Sequence, residues 1–288
     1  MSRDVTDALV DTQWLEDHLD APDIRVVDCS WFLPSDPRNA LKEFKNCHIP
    51  GAVYFDIDAI ADRTSSLPHM VPDPVAFSSA VRKLGLGDGL RIIAYDRAGG
   101  ACAAARVWWM FRLFGHAEVS VLDGGLGAWM AEGRPVDDLP RTPGRRHFTA
   151  RMQSPLLRSR KQIRANVDSE KELVVDVRAA NRFAGAADEP REGVRKGRIP
   201  GSVNLPFTDL QVGDHGHMAD PDVLRAKFAE AGLTPDKAIV SSCGSGVTAC
   251  YIALAAHRLG YPDIAVYDGS WTEWGGDHTL PIAVGAPG

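Results

Sequence analysis

The sequence predicts an α/β fold made of two tandem copies of one domain, each with a central, mostly parallel sheet flanked by helices. Three observations support this prediction. The 288 residues suffice for two domains of ordinary size. Several motifs of the first half recur in the same order in the second half. Within each half, short β-branched runs alternate with helical stretches, which is typical of βα units around a parallel sheet.

The internal repeat is weak in identity but regular in spacing. The Ile-Pro-Gly run that ends at Gly51 recurs at Gly201, 150 residues later. The Asp-Gly pair that begins at Asp123 recurs at Asp268, 145 residues later. Because only small insertions separate the two halves, we predict one domain that has been duplicated.

A segment rich in proline and arginine, without apolar periodicity, separates the copies and predicts a linker. We place the N-terminal domain at residues 1–140, the linker at 141–158 and the C-terminal domain at 159–288. The β-branched runs predict strands at 25–27, 92–95, 119–122, 173–177, 239–241 and 265–267. The apolar pattern predicts helices at 101–113, 223–231 and 247–259.

Composition and charge exclude several classes of protein. The formal net charge is -6, and the 32 basic and 38 acidic residues are interspersed, which disfavours a nucleic-acid or membrane partner. The charged N-terminus lacks the apolar stretch of a secretory signal, and no run is long enough to cross a bilayer, so we expect a cytoplasmic protein. The five cysteines are scattered and form no CxxC pair, which argues against a disulfide framework or a zinc site. No metal or organic cofactor is implied.

Cys243 stands at the turn between a predicted buried strand and a predicted helix. The N-terminal amides of such a helix favour a thiolate over a thiol. Gly244 and Gly246 allow successive amides to converge as an anion-binding nest. We therefore predict a nucleophile that faces these amides and is open to solvent; a sulfur walled off from solvent would contradict this hypothesis. The alternative is that Cys243 is an inert buried cysteine, as we expect for Cys250.

The charge of the loop limits what it can hold. A cysteine-dependent phosphatase needs an arginine at the sixth position after the cysteine, and this position is Ala249. No cationic side chain lies between Cys243 and Thr248. The loop therefore suits a small, singly charged species such as the terminal sulfur of a persulfide. The loop positions that we assign to substrate binding are Gly244, Gly246, Val247 and Thr248.

These features resemble the rhodanese-type sulfurtransferases over nearly the entire chain. The resemblance rests on the tandem domains, the Ile-Pro-Gly runs, the Trp-Trp-Met-Phe-Arg segment from Trp108, the Asp-Gly-Ser-Trp segment from Asp268, and Cys243. The loop is similar to that of the 3-mercaptopyruvate branch. The thiosulfate-using branch usually has a basic Arg-Lys pair directly after the cysteine, where this chain has Gly244 and Ser245.

The resemblance implies that Cys243 takes sulfur from 3-mercaptopyruvate, releases pyruvate, and passes the sulfur to a thiol acceptor such as a thioredoxin-like protein, or to cyanide. It also implies that Arg182 and Arg191 bind the carboxylate and carbonyl of the donor, for which a planar guanidinium is well suited. The alternative for both arginines is a place on a polar surface loop.

A Ser-His-Asp relay that assists proton transfer is a further implication of the resemblance. It maps onto Ser245 in the loop and onto His69 and Asp58 in the first half. This relay requires that His69 and Asp58 face the loop of the second domain. The alternative is that His69 is a solvated loop residue.

The first copy has Asp96 where the second has Cys243. A carboxylate cannot carry a sulfane sulfur, so we predict that the N-terminal domain is catalytically silent. Three alternatives to the mercaptopyruvate enzyme stay open. A thiosulfate sulfurtransferase is disfavoured by Gly244 and Ser245, a non-catalytic rhodanese-like binding module by the presence of Cys243, and a phosphatase by Ala249.

Overall fold

The computed structural model describes residues 7–100, 102–139, 141 and 143–285. These residues form two compact units that divide between Gln153 and Ser154. Two short segments belong to the unit opposite to their half of the sequence. Thr64–Met70 clusters with the second unit, and Val212–Met218 clusters with the first. The two segments lie 148 residues apart, so this exchange follows the internal repeat.

The first unit contains a five-stranded sheet and five helices among its described residues. Its strands are β1 (Leu9–Val10), β2 (Ile24–Asp28), β3 (Val53–Tyr54), β4 (Arg91–Tyr95) and β5 (Val119–Leu122). Its helices are α1 (Thr12–His18), α2 (Ala40–Asn46), α3 (Pro74–Lys83), α4 (Ala103–Leu113) and α5 (Gly125–Ala131). The strands are parallel and run in the order β1-β5-β4-β2-β3.

Local sequence explains where these helices begin. Asp11 caps α1 by accepting a hydrogen bond from the amide of Trp14, at 2.6 Å. Asp73 caps α3 in the same way, and Pro74 occupies the first helical position, where a missing N–H costs nothing. Buried side chains from the sheet and from α5, including Tyr95 and Trp129, form the core on one face of the sheet.

The second unit repeats this architecture. The strands of its sheet are β6 (Leu157–Arg158), β7 (Leu173–Asp176), β8 (Val203–Asn204), β11 (Ile239–Ser242) and β12 (Ala265–Tyr267). Between β8 and β11 the chain forms a separate two-stranded pair, β9 (Gln211–Val212) and β10 (His217–Met218), and the residues from Val212 to Met218 cluster with the first unit. The helices of the second unit are α6 (Arg160–Ser169), α7 (Ala180–Phe183), α8 (Pro221–Glu230), α9 (Ala249–Arg258) and α10 (Ser270–Gly276). The parallel sheet has the order β6-β12-β11-β7-β8, the counterpart of the first sheet strand by strand. The predicted duplicated α/β fold is confirmed.

The helix after Cys243 begins two residues later than the sequence predicts. Val247 and Thr248 lie in the turn, with Thr248 at the N-cap, and α9 starts at Ala249. The turn is longer because Gly246 takes a φ of +76°. A Cβ at this position would lie 2.3 Å from the carbonyl oxygen of Asp268, so only glycine fits. Because α9 starts at Ala249, the amides of Val247 and Thr248 belong to the loop and not to the helix.

The segment 141–158, which the sequence assigns to a linker, is packed in its described part. Phe148 is buried in the first unit, where its ring lies 5.6 Å from that of Phe77. Leu157 and Arg158 form β6 at the edge of the second sheet. Single buried anchors of this kind leave no periodic pattern, so the sequence does not reveal them. None of the described helices combines the length and apolar character needed to span a bilayer.

Candidate active site

Cys243 follows directly after β11, which lies between β7 and β12 in the second sheet. Reactive groups in parallel sheets sit in the loops at this carboxyl edge. The amide of Cys243 donates a hydrogen bond to Ser270 Oγ at 3.1 Å, and the same Oγ lies 4.0 Å from Cys243 Sγ. The sequence does not reveal the role of Ser270, because it lies 27 residues further along the chain.

Cys243 is only 2% exposed, which is less than the sequence predicts. The cause is the first turn of α10, which packs onto the loop. The amide of Trp271 donates to the carbonyl of Cys243 at 3.0 Å, and the amide of Thr272 donates to that of Gly244 at 2.8 Å. The prediction of an open thiol is therefore wrong for this conformation, because α10 covers the sulfur.

The backbone amides of the loop remain available to an anion. Within the described part of the chain, no group accepts a hydrogen bond from the amides of Gly244, Ser245, Val247 or Thr248. Buried peptide N–H groups are nearly always paired in folded proteins. Among the described residues, four of the five amides that follow Cys243 therefore lack an acceptor, which indicates a site for negative charge.

The corresponding loop of the first unit shows what such a site holds. Asp96 stands in place of Cys243, and its Oδ1 accepts hydrogen bonds from the amides of Ala98 and Gly100, at 2.8 and 2.9 Å. Its Oδ2 accepts from the amides of Cys102 and Ala104, at 3.3 and 3.0 Å. The duplicated loop is therefore an anion-binding nest, and in the first unit the protein's own carboxylate occupies it.

Both arginines that the sequence singles out reach the loop of Cys243. Arg191 Nη2 lies 3.4 Å from Ser245 Oγ. Arg182 Nη2 would lie 3.4 Å from a Cβ placed on Gly244. Positive charge therefore lies next to the unpaired amides, although the loop itself has no cationic side chain.

A buried row of charges holds Arg182 in place. Glu189 accepts from Arg182 Nη2 at 2.5 Å and from Arg178 Nη1 at 2.7 Å, and Arg178 in turn pairs with Asp176 at 2.6 Å. Burial by itself lowers the pKa of Arg178, but the two carboxylates outweigh it, and the pKa is raised above its usual value. The sequence motifs did not single out Glu189 as a functional candidate. The only signal for it in the sequence is its place between Arg182 and Arg191, seven positions after Arg182.

The proposed relay residues lie in different units. His69 is buried, with 6% of its surface exposed, in the segment that clusters with the second unit. Ser245 is also buried, at 8% exposure, in the loop of the same unit. Asp58 belongs to the first unit, is exposed, and accepts a hydrogen bond from Trp31 Nε1 at 2.8 Å. The hypothesis that His69 is a solvated loop residue is wrong, because its side chain is buried.

The second unit contains a cavity of about 540 Å³ beside the loop. The segment Ser66–Pro68, which directly precedes His69, lines it together with Arg191 and Thr272. Thr272 Oγ1 donates to the carbonyl of Gly244 at 2.6 Å, so the wall of the cavity touches the loop. Among the described residues, no three His, Cys, Asp or Glu side chains cluster as they would around a metal ion.

The Rhodanese-like domain profile matches this chain twice, at residues 11–132 and 159–277. The chain belongs to the rhodanese family. The first matched range contains Asp96 and the second contains Cys243, so each repeat has one of the two corresponding loops.

Several known members of the rhodanese family are similar over almost their full length. Human 3-mercaptopyruvate sulfurtransferase is 43% identical over 272 residues, which cover 93% of this chain and 91% of the relative. Mouse thiosulfate sulfurtransferase is 42% identical over 273 residues, with the same coverage of both chains. The crystal structure of SseA from Escherichia coli, a 3-mercaptopyruvate sulfotransferase of rhodanese fold, superposes with a TM-score of 0.84 at 37% identity, covering 92% of this chain and 99% of SseA.

Proposed function

We propose that this protein is a 3-mercaptopyruvate sulfurtransferase whose sulfur carrier is Cys243. The observation that supports this proposal best is the loop itself. Cys243 precedes four amides that find no acceptor in the described part of the chain, and two guanidinium groups reach the same loop. Such a loop stabilises an anionic sulfur, and its arginines suit a keto acid.

The reaction begins when the Cys243 thiolate attacks the sulfur of 3-mercaptopyruvate. The S–S bond forms as the C–S bond breaks, and the electron pair of that bond leaves on pyruvate as its enolate. Arg182 and Arg191 bind the carboxylate and the developing enolate oxygen. Protonation of the enolate carbon gives pyruvate. An acceptor thiol then attacks the outer sulfur of the persulfide and restores the Cys243 thiolate.

A proton source near the loop assists departure of the enolate. We assign this role to Ser245 and His69, with Asp58 as the third member of the relay. Both Ser245 and His69 are buried within the second unit, where a bound donor excludes water. The place of Asp58 in the relay rests on the family resemblance alone.

A thiosulfate sulfurtransferase is the second candidate, since the mouse enzyme of that name is 42% identical to this chain. Thiosulfate carries two negative charges and is best bound by cationic side chains next to the cysteine. Gly244 and Ser245 provide none. Mercaptopyruvate is therefore the preferred donor in this proposal, and the acceptor is a thioredoxin-like dithiol or cyanide. We further propose that the protein acts in the cytoplasm, without a nucleic-acid or membrane partner.

The proposal is tested by the mass of the intact protein after incubation with 3-mercaptopyruvate or with thiosulfate. We expect one added sulfur atom from mercaptopyruvate in the native protein and none in Cys243→Ser. A Cys47→Ser variant, which changes a cysteine of the first unit, serves as the control and should gain sulfur normally. Sulfur gained from neither donor would favour a non-catalytic binding module instead.

Access to the buried sulfur is tested separately with iodoacetamide. Because α10 covers Cys243, we expect that a small reagent alkylates it more slowly than the half-buried Cys47, and that pyruvate, the keto-acid product, protects it. A Cys243 that is never labelled in the folded protein would exclude donor access and contradict the proposal.

A further inference from the structure

Glu189 is a buried acidic side chain that pairs directly with Arg182, one of the two donor-binding arginines. Its two oxygens are shared between Arg178 and Arg182, and its side chain is only 4% exposed. A carboxylate buried this far from water is screened weakly, so it changes the charge that a bound donor meets. This effect concerns Arg182 most directly, since Arg178 has Asp176 as a second partner.

Positive and negative side chains balance one another around the loop. Asp176 pairs with Arg178, and Glu189 pairs with Arg178 and Arg182; together with Arg191, which reaches Ser245, these five groups carry a net charge of +1. Asp268, which is 2% exposed and lies beneath Gly246, adds a negative charge on the other side of the loop. With Asp268 counted, three positive and three negative groups sum to zero, so these six groups offer no surplus positive charge to a dianion.

The two candidate donors differ in net charge. At neutral pH, 3-mercaptopyruvate carries one full negative charge on its carboxylate, whereas thiosulfate carries two. We propose that Glu189 is a specificity-determining residue that favours singly charged sulfur donors over dianionic ones by offsetting the charge of Arg182. This inference rests on the proposed function and goes further, because it assigns the choice of donor to a residue outside the loop.

Glu189 also positions Arg182. It accepts two hydrogen bonds from this guanidinium, from Nε at 3.2 Å and from Nη2 at 2.5 Å. Paired contacts of this kind fix the plane of an arginine as well as its distance. The test must therefore separate the charge of Glu189 from its role in positioning Arg182. Glu189→Gln changes the charge, and Glu189→Asp changes the position.

The test is the ratio of kcat/KM for thiosulfate to kcat/KM for 3-mercaptopyruvate. Glu189→Gln keeps an oxygen that accepts from Arg182 but removes the charge, so we expect the ratio to rise roughly tenfold at low ionic strength and less at high salt. Glu189→Asp keeps the charge on a shorter side chain, so both kcat/KM values should fall while their ratio stays within about twofold of the native value.

Asp188→Asn is the matched control. Asp188 is the neighbouring residue and loses the same charge, but its side chain is 90% exposed and pairs with Lys196 on the surface. We expect its donor ratio to stay within about twofold of native. A folded Glu189→Gln with an unchanged ratio, or an equal rise in Asp188→Asn, overturns the inference. Native protein that takes sulfur from neither donor refutes the proposed function instead.

A measurement on the native protein covers the case that Glu189→Gln does not fold. Pyruvate is a singly charged keto acid and mesoxalate is a dianionic one of similar size. We expect pyruvate to protect Cys243 from iodoacetamide at a lower concentration than mesoxalate. Stronger protection by the dianion would contradict the inference.

Discussion

The loops of Asp96 and Cys243 occupy the same position in two sheets of identical strand order. In the first unit, the Asp96 carboxylate accepts hydrogen bonds from four backbone amides, which lie in the loop after it and in the first turn of α4. In the second unit, the side chain at this position is a thiol, and four amides of the loop have no acceptor among the residues that the structure describes. The comparison indicates that duplication gave two anion-binding loops, of which one is closed by its own side chain and the other is left for a substrate.

The first prediction tests whether Asp96 stabilises its loop while Cys243 does not. Asp96→Ala leaves four amides without their acceptor, so we expect the free energy of unfolding to fall by about 3 kcal/mol. Cys243→Ala removes only a small buried group and should cost about 1 kcal/mol. Chemical denaturation of both variants measures the difference. An equal loss of unfolding free energy in the two variants would contradict the inference that Asp96 stabilises its loop and Cys243 does not.

The second prediction concerns the two exchanged segments. His69 lies in the segment that clusters with the second unit, and His217 lies 148 residues later in the segment that clusters with the first, where it contacts Asp123 at 3.3 Å. We expect His69→Ala to lower kcat for 3-mercaptopyruvate roughly a hundredfold, the usual scale of general acid–base assistance. His217→Ala should leave kcat within about twofold of native. Comparable losses in both variants would indicate a structural role for both histidines.

The third prediction addresses the arginines, which the first unit does not have at the corresponding loop positions. Arg182→Ala and Arg191→Ala should each raise KM for 3-mercaptopyruvate roughly tenfold, because each removes a charge-assisted contact with the donor. Alkylation of Cys243 should stay nearly unchanged. Arg38→Ala, which breaks a surface pair with Glu43 in the first unit, is the control and should not change KM. Unchanged KM values in both site variants would refute the carboxylate assignment.

Most of the fold could be predicted from the sequence, because strand and helix signals are local. The predicted strand 119–122 is observed without change as β5, and the strand before Cys243 differs by one residue at its end. The helix after the loop begins later than predicted because the packing of Gly246 against Asp268 extends the turn. Helix boundaries depend on such contacts, which periodicity does not record.

The sequence by itself determined the duplication, the parallel sheets, and the place of Cys243 between a strand and a helix, since each depends on neighbouring residues or on a repeated motif. Only the tertiary structure decided that Ser270 and α10 cover the sulfur, that Glu189 pairs with Arg178 and Arg182, and that Thr64–Met70 clusters with the second unit. The physical reason is that burial and charge pairing depend on which distant segments pack together. Both the accessibility of the thiol and the net charge of its site follow from that packing.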